Sequence, residues 1–327
     1  MSFNTTHRST PITTILCDLC SAVPFDAEKP PFGDARGFEW SLGTLDRIRR
    51  KTDCPLCRLI VLAVYDGYRG HSWLPDGEII MQWMSLGAGA LVLNGPKLGV
   101  SIRFVKEPSL RRRKLHSCIP ITDSQLDVSR ARSWISACEN NHGETCNSRW
   151  GPSFGTFLPG LEVLRLIDVV KGHLVELREP CRYVSLSYVW GGVNNVRLTS
   201  SNRATLMKQG VLRTIWDLLP KTVQDAIDIV IALDERFLWI DALCLVQNDA
   251  ADVQNSIKVI DLIYKRAILC IIATSGDNAN AGLPGVRDGC RLITNRVEQI
   301  QPGVKLAVYN DLDHVLRSSA YNRRGWT

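Results

Sequence analysis

Several absences narrow the reading of this 327-residue sequence before any motif is considered. No apolar run approaches the roughly 20 residues a membrane-spanning helix needs. Stretches such as 268–274 are far shorter. The polar start MSFNTTHRSTPITT carries no apolar leader segment, which disfavours secretion. No internal repeat or low-complexity tract appears, and a charged content of 22% argues against global disorder. Positive charge is also modest: a net +6 spread over this length is too weak to imply nucleic acid. The basic run Arg111–Lys114 reads as a solvated loop in preference to a nuclear address. The expectation is a cytoplasmic protein, with the nucleus as the alternative, and with neither a membrane nor a nucleic acid as partner.

What is present is cysteine, eleven of them, which in a reducing compartment read as core thiols or metal ligands rather than disulfides. Cys17-x-x-Cys20 and Cys54-x-x-Cys57 have the two-plus-two spacing of a tetrahedral zinc site, each pair offering two thiolates from one tight turn. A loop-rich segment around them otherwise lacks a staple, which favours structural zinc. The alternative is four buried thiols. A redox role is disfavoured, because no thioredoxin-like strand precedes either pair. Cys138-x3-His142-x3-Cys146 is a second grouping, but His142-Gly143 signals the end of a helix and no fourth ligand stands out; Cys118, His116 and Cys181 are candidates only. Buried cysteines beside a surface histidine are the preferred reading there.

The chain divides into three stretches. Residues 1–80 are rich in Cys, Pro and Gly, include PPFGDARG, and carry one helical run through Cys57, Ile60, Val61 and Val64. Residues 81–180 read as a small β-rich region: IIMQWMSL, ALVLNG and VSIRFV as antiparallel strands, a short helix around 131–138, then strands in LRLIDVV and HLVELR. From 181 the pattern becomes strand, helix, strand, helix, strand. YVSLSY ends at the turn Val189–Gly192. A helix follows over 223–233 with Thr222 as its N-cap and with Asp225 and Asp228 as solvated charges. FLWIDAL (237–243) is an apolar strand, 252–267 one amphipathic helix with Val253, Ile257, Ile260, Ile263 and Tyr264 inward, and ILCIIAT (268–274) a third buried strand.

That alternation implies an α/β fold with a small parallel sheet flanked by helices, behind a Cys-rich α+β N-terminal region. Loops at the carboxyl ends of such strands converge on one crevice. Here the rim would carry Ser187, Trp190, Gly191, Gly192, Asp241, Cys244, Gln247, Asp249 and Ser275. Asp241 ends an apolar strand, where a carboxylate either does chemistry, for instance by binding a ribose, or caps the following turn; the residues leave both open. Trp190 and Trp239 read first as core aromatics. Cys244 lacks a histidine in these blocks, so a Cys–His nucleophile is disfavoured.

Three ordered blocks resemble the fungal heterokaryon-incompatibility (HET) family: Leu186–Gly191; Leu238–Cys244 with Gln247, Asp249 and Ile263-Tyr264; and Arg324–Thr327. LPKTVQDAI (219–227) matches the segment between the first two. The resemblance implies a programmed-cell-death module of fungal non-self recognition over 181–327, acting through self-association or protein partners. It also implies a TIR-like (Rossmannoid) sheet. Since some TIR domains hydrolyse NAD, the rival expectation is a nucleotide hydrolase with Asp241, Gln247 and Asp249 as candidate catalytic residues and NAD as substrate. A third, zinc-dependent nucleic-acid binding through RRRK, is weak because aromatic and basic residues do not interleave there. Val246 stands where the family often has asparagine and Ile260 where it has methionine. The chain stops at Thr327 where the family continues through Gln-Glu, so the domain is expected to be truncated at its C-terminus.

Overall fold

The computed structural model describes residues 16–23, 25, 39–67, 77–84, 90–93, 100–105, 118–121, 123–143, 146, 153–291, 296–310, 316–317 and 319–323. PPFGDARG, Arg111–Lys114, His116 and Arg324–Thr327 lie outside them. The chain forms two units, Met1–Thr122 with Ile293–Arg317, and Asp123–Leu292 with Ser318–Thr327. No described helix is long and apolar enough to cross a membrane.

In the first unit, β1 (Glu39–Thr44) leads into α1 (Leu45–Arg49), whose start is capped by the Thr44 hydroxyl accepting from Arg47 N at 3.4 Å. The helical run after Cys54 is α2 (Pro55–Gly67), with proline at its first position, where the missing N–H is no loss. It buries Leu56, Cys57, Ile60, Ala63 and Val64. The three strands expected after residue 80 are β2 (Glu78–Met84), β3 (Ala90–Leu93) and β4 (Val100–Phe104), paired antiparallel in sequence order behind β1. Two further strands, Val304–Asn310 against β4 and then Val297–Gln301, complete a six-stranded sheet. They come from inside the stretch read as one HET domain. Ile300, Val304, Leu306 and Val308 bury in the same core as α2, which explains their place. Arg58 seals the join with a paired contact to Glu298, Nε to Oε1 at 2.9 Å and Nη2 to Oε2 at 2.6 Å.

The second unit begins with α3 (Val128–Asn141), capped by Asp127 accepting from Arg130 N at 3.0 Å. Its sheet contains β5 (Leu164–Asp168), β6 (His173–Leu177), β7 (Val184–Ser187), β8 (Phe237–Ile240) and β9 (Leu269–Ile272), in the order β6-β5-β8-β7-β9. β7 runs parallel to both β8 and β9, as the alternation implies. The small parallel sheet is nevertheless mixed, because β5 and β6 join antiparallel at the β8 edge. All five residues of β5 are buried, so it is an inner strand that needs partners on both sides. β9 is not the fully buried strand expected. It pairs only with β7, and its end residue Ile272 is 46% exposed.

The helices depart from expectation in three places. α4 (Lys221–Ala232) starts after Pro220, and Thr222 sits buried inside it, its hydroxyl accepting from Gly282 N at 3.1 Å instead of capping. Asp225 is fully buried rather than solvated: it accepts from Leu283 N at 2.6 Å and pairs with Arg287 at 2.9 Å. A loop through 279–287 covers that face, which an isolated amphipathic pattern does not reveal. The helix expected over 252–267 is two, α6 (Ala250–Ile257) and α7 (Ile260–Arg266), broken where Val259 leaves helical geometry (φ −125°, ψ 15°) to bury its side chain. Between β8 and α6, what reads as strand past Ile240 is a short helix, α5 (Asp241–Cys244).

Candidate functional site

The parallel strands lie in the order second, first, third (β8, β7, β9), so the crossover from β7 to β8 and that from β8 to β9 run in opposite directions across the sheet. In open α/β sheets ligands bind outside the carboxyl ends of the strands at such a point. A cavity of about 560 Å³ occurs there, within the roughly 300–1,000 Å³ of small-molecule sites. Ser187 closes β7, Trp190 lies just past it, Asp241 follows β8, and Cys270 belongs to β9; all four line the cavity. Trp190 Nε1 donates to Asp241 Oδ1 at 3.1 Å, and the same oxygen accepts from Ala242 N at 2.7 Å. Asp241 therefore caps its turn and orients Trp190 at once. Gln247 Nε2 donates to the backbone oxygens of Asp241 (2.9 Å) and Leu245 (3.1 Å), holding the loop after α5. Ser187 Oγ lies 3.0 Å from Tyr321 Oη. The opposite wall is apolar: Val253 and Ile257 from α6, Ile260 and Tyr264 from α7, with Asp261 beside them.

Two supports set this rim. Behind Trp190, Ala279 N donates to its carbonyl at 3.2 Å, and Gly191 (φ +63°) packs so closely that an added Cβ would stand 2.4 Å from Asn278 Cβ. Below the loop after α5, Arg165 is 8% exposed and binds Asp252 (2.8 Å), Glu176 (2.9 Å) and the Cys244 carbonyl (3.4 Å). Asp252 in turn accepts from Val246 N at 2.8 Å, so β5, α6 and the loop form one polar network.

Of the residues expected at the rim, Ser187, Trp190, Asp241 and Gln247 line the cavity. Gly191 lies behind it. Asp249 caps α6 by accepting from Ala251 N (3.0 Å) and Asp252 N (3.2 Å). Cys244 is buried in the core and accepts from Ile240 N at 3.4 Å, and burial pushes its thiol up to about 12. Ser275 is exposed and off the lining. Reasoning from sequence missed Leu245, Cys270, Asp261 and Tyr321 as lining residues. It also assigned Val253, Ile257, Ile260 and Tyr264 to a core stripe, although their helical spacing was the available signal for this wall. Trp239, by contrast, is a core residue at 1% exposure, edge-on to Tyr264 with centroids 5.2 Å apart.

In the first unit, the four cysteines of the paired CxxC come together. Cys17 and Cys20 share a turn closed by Cys20 N to Cys17 O at 3.0 Å, and Cys54 and Cys57 flank the start of α2. Their sulfurs all lie within 4.8 Å of one another, with Cys17–Cys57 at 3.6 Å and Cys20–Cys57 at 3.5 Å. Zinc with bonds of about 2.3 Å holds tetrahedral sulfurs roughly 3.8 Å apart, so the set fits. The thiols also compete for protons. Hydrogen bonds from Cys20 and Cys57 hold Cys54 far below an ordinary thiol, while bonds to Cys54 and Cys57, with burial, push Cys20 far above it. A divalent cation at their centre lets all four ionise together. This cluster can hold a metal ion and suits structural zinc.

A short parallel core with a crevice at its switch point makes the second unit an α/β module. Residues 183–327 match the family described as Heterokaryon incompatibility protein (HET), and this part of the chain is similar to that family. The matched range contains every residue lining the crevice. Comparison with curated proteins and with solved structures found no match.

Proposed function

We propose that this protein is a cell-death effector of fungal heterokaryon incompatibility, working in the cytoplasm through the Trp190–Asp241 crevice and through self-association or protein partners. The family match over 183–327 carries this reading. The strand order β8-β7-β9 supports a TIR-like (Rossmannoid) core beneath the crevice. NAD hydrolysis in the same crevice gains no support from its lining. Among the described lining residues Asp241 and Asp261 are acidic and none is Lys or Arg, so a pyrophosphate would meet like charge there, the nearby basic group being Arg197, stacked 4.8 Å over the Trp190 ring.

The test is induced expression of the full chain in fungal hyphae. Wild-type protein should cause growth arrest and loss of viability. Asp241→Ala, shown to be folded by its circular dichroism and melting profile, should abolish them, because it frees Trp190 from its orienting acceptor. Undiminished killing by the folded variant would defeat the crevice, and absence of killing by the wild type would defeat the effector reading. Nicotinamide release on incubation with NAD would instead revive the hydrolase.

A further inference from the structure

Outside both sites, α3 is unusual in burying none of its side chains. Helices in water draw most of their stability from packing an apolar face, and one of this length is marginal alone. Its described ties are polar: Arg132 to Asp234 at 2.9 Å, and Glu139 to Arg182. At its end the chain turns back sharply. His142 is the C-cap, its N–H bonded to Cys138 O at 3.2 Å, and Gly143 takes a left-handed conformation (φ +52°) in which its added Cβ would meet nothing. That reversal, closed by Cys146 N to Gly143 O at 3.2 Å, brings three soft donors to one point.

Cys138 and Cys146 sulfurs are 3.1 Å apart; His142 Nδ1 is 3.3 Å from the first and 3.7 Å from the second. A disulfide would need about 2.05 Å. Tetrahedral zinc, with Zn–S near 2.3 Å and Zn–N near 2.0 Å, holds its donors roughly 3.5–3.8 Å apart, so the sulfurs would have to open by roughly 0.7 Å to take the ion. Both cysteines are half-buried rather than buried, and the histidine is exposed, so an ion could reach the site from solvent. Among the described residues no fourth Cys, His, Asp or Glu joins the group.

We propose that Cys138, His142 and Cys146 form a second metal site. It takes zinc through two thiolates and one imidazole nitrogen, staples the end of α3 to the returning chain, and leaves the fourth coordination position to water or a donor from outside the group.

The test uses the full chain purified under reducing conditions with zinc. Metal analysis should give about two zinc equivalents, and N-ethylmaleimide labelling read by peptide mass mapping should find Cys138 and Cys146 protected at least tenfold until a chelator is added. Cys138→Ser/Cys146→Ser should lower the content by one equivalent and leave protection at Cys54 and Cys57 unchanged. Labelling of wild-type Cys138 and Cys146 at a rate indifferent to chelator would overturn the proposal, as would a direct Cys138–Cys146 linkage in the unreduced map. Should the double variant not fold, the wild-type protection map decides alone. The two metal sites are read on different peptides, and neither readout depends on killing, so each claim fails separately.

Discussion

Gly191 and Gly192 are adjacent, chemically identical and predicted to respond very differently to a single methyl group. Gly191 sits at φ +63°, where an L-residue is strained, and its new Cβ would lie 2.4 Å from Asn278 Cβ, 2.9 Å from Asn278 Cα and 3.1 Å from Asp277 O. None of those atoms can swing aside by rotating a side chain. The left-handed conformation costs alanine about 1–2 kcal/mol, and forced backbone displacement a further 1–3 kcal/mol, so Gly191→Ala should destabilise the second unit by about 2–5 kcal/mol. Gly192 has no left-handed φ and nothing within 4 Å of an added Cβ, so Gly192→Ala should stay within about 0.5 kcal/mol. In urea, with a slope of about 2 kcal/mol/M, the first midpoint falls by about 1–2.5 M and the second by less than about 0.3 M. Near-ultraviolet circular dichroism of purified full-length proteins reads both. Equal midpoints for the two variants would refute the packing of the Trp190 turn against the 277–279 loop.

Two further outcomes follow from buried charges. Asp225→Ala strips the acceptor from the buried Leu283 N–H, worth about 1–3 kcal/mol, while the 38%-exposed Arg287 pair adds at most about 1 kcal/mol. Asp225→Asn, which keeps an acceptor oxygen, should recover at least half of the loss of about 1–4 kcal/mol in a denaturation series; equal losses would mean that Leu283 is not held as described. In the first unit, the hydrogen bond from Arg58 holds the Glu298 carboxyl below its usual 4.5. A depressed carboxylate contributes stability above its unfolded pKa and loses it as pH falls through the folded value. The stability gap between wild type and Glu298→Gln should therefore be constant from pH 7 to 5 and narrow below about 4.5, and a gap that persists at pH 3 would contradict this.

Strongly apolar local segments were legible in the sequence; long-range coverage was not. β7, β8 and α4 follow from runs such as YVSLSY and the spacing of Val223, Ala226, Ile227 and Val230, because local pattern and burial agree there. The joining of β5 to β8 was hidden, since pairing between strands 70 residues apart leaves no local mark. Asp225 looked like a solvated face because the loop that buries it lies 58 residues away in sequence. Trp190 and Asp241 were placed on one rim by topology alone, and their side chains meet at 3.1 Å. Tyr321 could not have been found: it reaches Ser187 across 134 residues with no motif around it. The four-cysteine cluster was legible because CxxC spacing is itself geometry, whereas the Cys138 grouping was read as bland because the reversal at Gly143 that unites it breaks helical periodicity.

The central claim is that the crevice beside α6 is the working site of the HET region. Ile257 lies on its wall and is 37% exposed, so Ile257→Trp can fill the cavity without disturbing the buried core. With the melting profile matched to wild type, induced expression in hyphae should show loss of killing. Full killing by a folded protein whose crevice is plugged would contradict the account.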